Sequence, residues 1–172
     1  MRRIIILIFV FFTLLTYETK AQLVHVKGVK GILGEYNSEK GGFGVGVGFY
    51  KLQTKRFSWK AIAEFHSSKQ ENTKTTLING FGDLGYTVLS LKQQFFVSVT
   101  GGIGAGMEIL EDNIFGTKKN SPMLIEGVGL SFEWCPIEKL TTAINFRQRF
   151  TQFNRNGSAY YMIGLSVQYN LN

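Results

Sequence analysis

Two histidines, His25 and His66, and one cysteine, Cys135, are all that the chain offers for imidazole or thiolate chemistry. A zinc site takes three or four such ligands at short spacing, and no second histidine or cysteine stands two or four residues from either histidine. One cysteine excludes an intrachain disulfide framework and a cysteine-held iron–sulfur cluster. Beside Pro136, Cys135 reads as a lone thiol or as one that pairs with another chain. His66 precedes Ser67 and Ser68, the residue types of a base and a nucleophile. Adjacency in sequence does not align such a pair, and neither GxSxG nor a third orienting residue accompanies it. No catalytic residue, metal or cofactor is expected, so the chain reads as a non-enzyme.

Any function must therefore come from the elements themselves. At the N-terminus Arg2 and Arg3 precede an apolar run from residue 4 to residue 15, broken only by Thr13. As a helix that run spans about 18 Å, short of the roughly 30 Å hydrocarbon core of a bilayer. It has the layout of a signal peptide over residues 1–21, cut after Ala21, with no cysteine at the cut to receive a lipid. Residues 22–172 then form one domain, and losing Arg2, Arg3, Glu18 and Lys20 lowers the net charge from +7 to +5. The basic residues, Lys118, Lys119 and Arg155 among them, are scattered over connectors without interleaved aromatics. Direct nucleic-acid binding is not expected, whereas contact with outer-membrane lipid and anionic lipopolysaccharide is.

Downstream, hydrophobicity alternates with period two. Over 42–52, Phe43, Val45, Val47 and Phe49 alternate with Gly42, Gly44, Gly46 and Gly48, which describes a strand with one glycine-lined face. Residues 56–66 set Phe57, Trp59, Ala61, Ala63 and Phe65 against Lys60, Glu64 and His66. The same design recurs over 94–110, 124–134, 140–150 and from Ala159 onward, and less clearly over 27–36 and 75–89, giving eight strands. Short connectors (51–55, 91–93, 135–139) alternate with polar ones (37–41, 67–74, 111–121, 151–157), the last three of them longer, as periplasmic turns alternate with outer loops. Pro122 is expected just before a strand and Pro136 in a turn.

Period two alone does not say which face points inward, since a lipocalin-like barrel is apolar inside and a membrane barrel apolar outside. The apolar face carries Phe57, Trp59, Phe65, Phe95, Trp134, Phe150, Tyr161 and Tyr169 near strand ends, as interfacial girdles require. The glycines lie on the polar face, where a narrow bore needs room for long side chains. The expected fold is therefore all-β: an eight-stranded antiparallel up-and-down transmembrane β-barrel. Its lumen is expected to hold a polar cluster of Lys60, Glu64, Asp83, Glu108, Glu133, Arg147 and Arg149, either as arginines and carboxylates that meet and plug the bore or as charges that fill a solvated interior. Glu126 breaks the pattern by falling on the apolar face.

The segments KGVKGI, GFGVGVGFYK with WKAIAEF, LGYTVLSLKQQFFVSVTGGIGAGMEIL, and IEGVGLSFEW with INFRQRF are spread over residues 27–150. In them the chain resembles the TraO family of conjugative-transposon proteins of Bacteroidetes-type bacteria. The resemblance implies an outer-membrane structural or docking component of a conjugation apparatus, with protein partners in that apparatus and no catalytic residues. Two other functions fit the same chain: a general porin-like outer-membrane barrel for envelope stability or surface ligand binding, and a soluble periplasmic lipocalin-like binding protein.

Overall fold

The computed structural model describes residues 28–70, 73–91, 94–112, 117–152 and 159–171. The expected signal peptide, His25 and Arg155 lie outside the described residues. Eight strands follow one another: β1 (Lys30–Glu39), β2 (Gly42–Leu52), β3 (Phe57–Gln70), β4 (Thr73–Leu91), β5 (Phe95–Asp112), β6 (Lys118–Ile137), β7 (Leu140–Gln152) and β8 (Ala159–Asn170). Each pairs antiparallel with its sequence neighbours, and β1 pairs with β8 to close an up-and-down barrel. Following paired residues once round the barrel from Val29 returns to β1 at Glu39, ten residues on. A stagger of that size tilts the strands about 40° from the axis.

The two faces are arranged opposite to those of a soluble domain. Ile103 and Tyr161 are each 70% exposed on the outside, whereas Arg149 is 0% and Glu64 3% exposed inside. An outer surface of this kind is stable against lipid, and the chain is a transmembrane barrel, not a lipocalin-like one. Phe57, Tyr86, Phe95, Trp134 and Tyr169 ring the end near the termini of the described residues, where β1 starts and β8 stops, with Phe95 and Trp134 stacked at 6.3 Å. Phe43, Phe65, Phe150 and Tyr161 ring the other end. Phe57 and Phe65 are eight residue steps apart on β3. At about 3.3 Å per residue and about 40° of tilt those steps rise about 20 Å, close to the roughly 25 Å apolar band of such barrels.

The strands outrun their expected limits at the far end. Residues 67–70, 73–74 and 118–121, read from sequence as loop, continue the ladders, and β4, β5 and β6 reach 19, 18 and 20 residues. Membrane crossing needs about 10, so these hairpins stand beyond the apolar band as a one-sided wall, while β1 and β2 join by the tight turn Lys40-Gly41. Gly41 has φ +76°, which glycine adopts without a steric penalty. On the wall Lys118 lies 3.1 Å from Glu111 and holds its carboxyl below the usual carboxylate range.

Both prolines lie within β6, not before it and in a turn as expected. Cys135 donates its N–H to the Gln94 carbonyl on the β5 side, and alternation turns the nitrogens of Pro122 and Pro136 toward β7. At Pro122 strand β7 has already ended, and at Pro136 the β6–β7 register shifts between Trp134 and Ile137, so neither proline removes a ladder bond. The Gly80, Gly82 and Gly85 spacing, which matches GxGxxG, falls mid-strand in β4 and forms no strand-to-helix turn.

Cys135 is likewise displaced from the expected turn. It is 0% exposed, packs on Phe96 and lies 3.3 Å from Thr141 Oγ1, so pairing with another chain is excluded in this fold. We expect the folded barrel to resist maleimide labelling at Cys135 and the denatured chain to react fully. Equal labelling of both states would contradict this placement.

Candidate functional site

Strand alternation places Arg147 and Arg149 on the inner face of β7, opposite Gly129 and Gly127 of β6. The glycines are spatial requirements. A Cβ at Gly129 would sit 3.0 Å from Arg147 Cγ, and one at Gly127 would sit 3.0 Å from Phe81 Cζ. The space left admits two guanidinium groups, both buried, to the bore.

Arg149 crosses the lumen to Glu64 on β3 as a fork, Nη1 to Oε2 at 2.5 Å and Nη2 to Oε1 at 2.6 Å. Glu64 is the hub: Asn79 Nδ2 donates to it at 2.6 Å, His66 Nε2 lies 3.5 Å away, and Arg147 Nη1 is 4.0 Å from Oε1. Arg147 bonds Glu35 Oε1 on β1 at 2.8 Å and approaches Asp83 Oδ2 on β4 at 3.6 Å. Asn37 donates to Glu35, and His66 Nδ1 lies 3.6 Å from Glu39. The Arg149 guanidinium also stacks over the Phe81 ring at 4.1 Å. Two-point arginine–carboxylate contacts with further donors are the arrangement that makes buried charge tolerable.

Apolar clusters close the network above and below. Val29, Leu33, Tyr50, Leu52 and Ile62 pack at the end near the termini. Phe81, Met123 and Ile125, with Leu77 against them, pack toward the far end. Between the lower cluster and the β5–β7 wall a second polar group forms: Lys60 Nζ lies 3.7 Å from Glu133, and Ser131, Asn145 and Ser166 are linked by bonds of 2.9 and 3.1 Å. Tyr50 donates its hydroxyl to Asn170 near a small vestibule lined by Ser58, Lys60, Glu133 and Thr141.

All seven residues expected in the lumen are there and buried. Glu64, Asp83, Arg147 and Arg149 form the central network, and Lys60 and Glu133 form the pair nearer the termini. Glu108 lies higher, opposite Leu77 and Ser121 in register. Sequence reasoning missed Glu35, Asn37, Asn79 and the ring of His66 as members. The signal available was parity alone, since Glu64 and His66 share a face. His66 faces carboxylates on both ring nitrogens, and Ser67 lies on the opposite face of β3, so that serine and histidine do not form a nucleophile–base pair. Among the described residues no group of three or more His, Cys, Asp or Glu side chains is placed to hold a metal ion.

No protein-family model matches the chain, and no curated protein matches it in sequence. Solved structures do match it in shape. Neisserial surface protein A superposes with a TM-score of 0.63 at 8% identity, covering 83% of this chain and 95% of its own. The N-terminal β-barrel domain of Pseudomonas aeruginosa OprF gives 0.62 at 10% identity, covering 84% and 98%. Ail, the attachment invasion locus protein of Yersinia pestis, gives 0.52 at 13% identity, covering 85% and 100%. At these identities the likeness concerns the fold.

Proposed function

We propose that the chain is a non-enzymatic outer-membrane barrel with a closed bore that works through its surfaces, as a structural or docking component of a conjugative transfer apparatus. The observation that carries the first half is the lumen itself: a salt-bridged network between two apolar clusters leaves no path for a large solute, and the apolar band outside seats the barrel in lipid. The wall of β3 to β6 is the outer-facing part, and the turns beside the termini face the periplasm, because short turns on that side are the habit of such barrels. The conjugation half is supported by the resemblance of the segments quoted above to the TraO family. Partners would meet the wall, since the bore admits none.

The test is fractionation of cells expressing the full chain, gels of the membrane fraction with and without boiling, and a mating assay with the gene deleted and restored. We expect a heat-shifted band in the outer membrane and a transfer frequency that falls on deletion and returns on complementation. A soluble band that does not shift would remove the barrel reading. A shifted band with unchanged transfer would leave a general envelope barrel and remove the conjugation role.

A further inference from the structure

At the top of the wall four outward-facing residues stand in one cross-strand row: Lys69 of β3 opposite Lys74 of β4, Lys74 opposite Glu111 of β5, and Glu111 opposite Lys118 of β6. The turn residue Lys40 adjoins the row, since Lys69 N–H donates to the Gly41 carbonyl at 2.9 Å. Lys69 and Lys74 are exposed. Like charges set directly opposite across a ladder are destabilising by themselves, and an anion bridging them would reverse the sign. Glu111 bonds Lys118 and is also drawn down by the Lys74 ammonium opposite it, but it does not stand between Lys69 and Lys74.

The height of the row selects the anion. Two outward steps below it on β3 and β4 lie Phe65 and Ile78, at the upper edge of the apolar band, with Ser67 and Thr76 between. The ammonium groups are therefore held outside the barrel, at the level where lipid headgroups begin, and not over the bore. Lower still, Ala61, Ala63, Gly80 and Gly82 leave the lipid face of β3 and β4 smooth, so acyl chains can lie flush beneath a headgroup bound above.

From this placement, and resting on the outer-membrane reading above, we infer that the Lys69 and Lys74 pair is a binding site for the phosphate groups of an acylated glycolipid of the outer leaflet. It is a lateral lipid site on one flank, formed by β3 and β4, which orients that flank toward phosphorylated lipid.

The experiment uses the full chain refolded in phosphatidylcholine bicelles doped with a bisphosphorylated lipid A, with bound lipid counted by native mass spectrometry. Wild type is expected to retain the phosphorylated lipid in preference to its dephosphorylated form. The variant K69Q/K74Q is expected to bind it about twenty-five-fold more weakly, each lysine near a membrane surface contributing about fivefold. Inorganic phosphate at millimolar concentration is expected not to displace it. Equal retention by the variant, equal retention of the dephosphorylated lipid, or full displacement by inorganic phosphate would each overturn the assignment. Heat-shift gels on the same samples separate the two readings. A shifted wild type that ignores phosphorylated lipid refutes only this site, whereas an unshifted wild type removes the barrel and the site with it.

Discussion

Replacing Glu64 with alanine lowers barrel stability by about 3–5 kcal/mol, the cost of leaving a buried charge without its partner. Glu64 is 3% exposed and takes both nitrogens of the Arg149 fork together with Asn79, so its removal strands a guanidinium where water cannot replace the carboxylate. The measurement is urea unfolding of the refolded barrel in detergent, followed by the heat-shifted band. The companion variant Glu64→Leu with Arg149→Met removes both charges and is expected to recover most of the loss, because the Phe81 face and the neighbouring Ile125 can receive a thioether. Additive losses in the double variant would mean that the fork contributes nothing as a pair. In planar bilayers wild type is expected to pass no large ions, and Glu64→Ala to open intermittently.

The second large effect is steric. A valine at Gly104, inside β5, places its Cβ 2.5 Å from the Gly80 carbonyl oxygen and 2.7 Å from Phe81 Cδ2. The first obstacle is backbone and cannot rotate away, so the substitution is expected to cost about 3 kcal/mol or more and to abolish the heat-shifted band. A valine at Gly80 is the control, for its Cβ meets nothing within 4 Å and points to lipid. That variant is expected to be as stable as wild type or slightly more, since glycine weakens a strand interior. A stable Gly104→Val barrel would mean that the bore is wider than the register implies.

Period two made the membrane-spanning parts legible because outside and inside demand opposite chemistry along one strand. Phe57, Trp59 and Phe65 against Lys60 and Glu64 is readable at a glance, and even Glu126 reads correctly as an outward residue. Gln152 donates to Glu126 at 2.8 Å on that outer face. The wall was not legible. Beyond the apolar band both faces are polar, with Lys69, Lys74, Glu111 and Lys118 outward, so alternation vanishes although the ladder continues. Network membership was hidden for another reason. Glu35 and Arg147 are 112 residues apart, and only the ten-residue stagger brings them to one height. Parity gives the face of a residue, not its partner across the bore.

Seven of the eight ladders join strands adjacent in sequence, and only β1 with β8 joins the two ends of the chain. Hairpins can therefore form early and locally, whereas the last ladder waits on the closing of a loop that includes nearly the whole domain. Until that seam zips, two unpaired strand edges face lipid, which is the most unfavourable state for a backbone in a bilayer. Arg147 of β7 finds Glu35 on β1 across that seam and Arg149 finds Glu64 on β3 across the lumen, so the interior charge pairs do not precede closure; they record it. Loss of β8 would accordingly yield no smaller barrel but an open sheet prone to pairing with other chains.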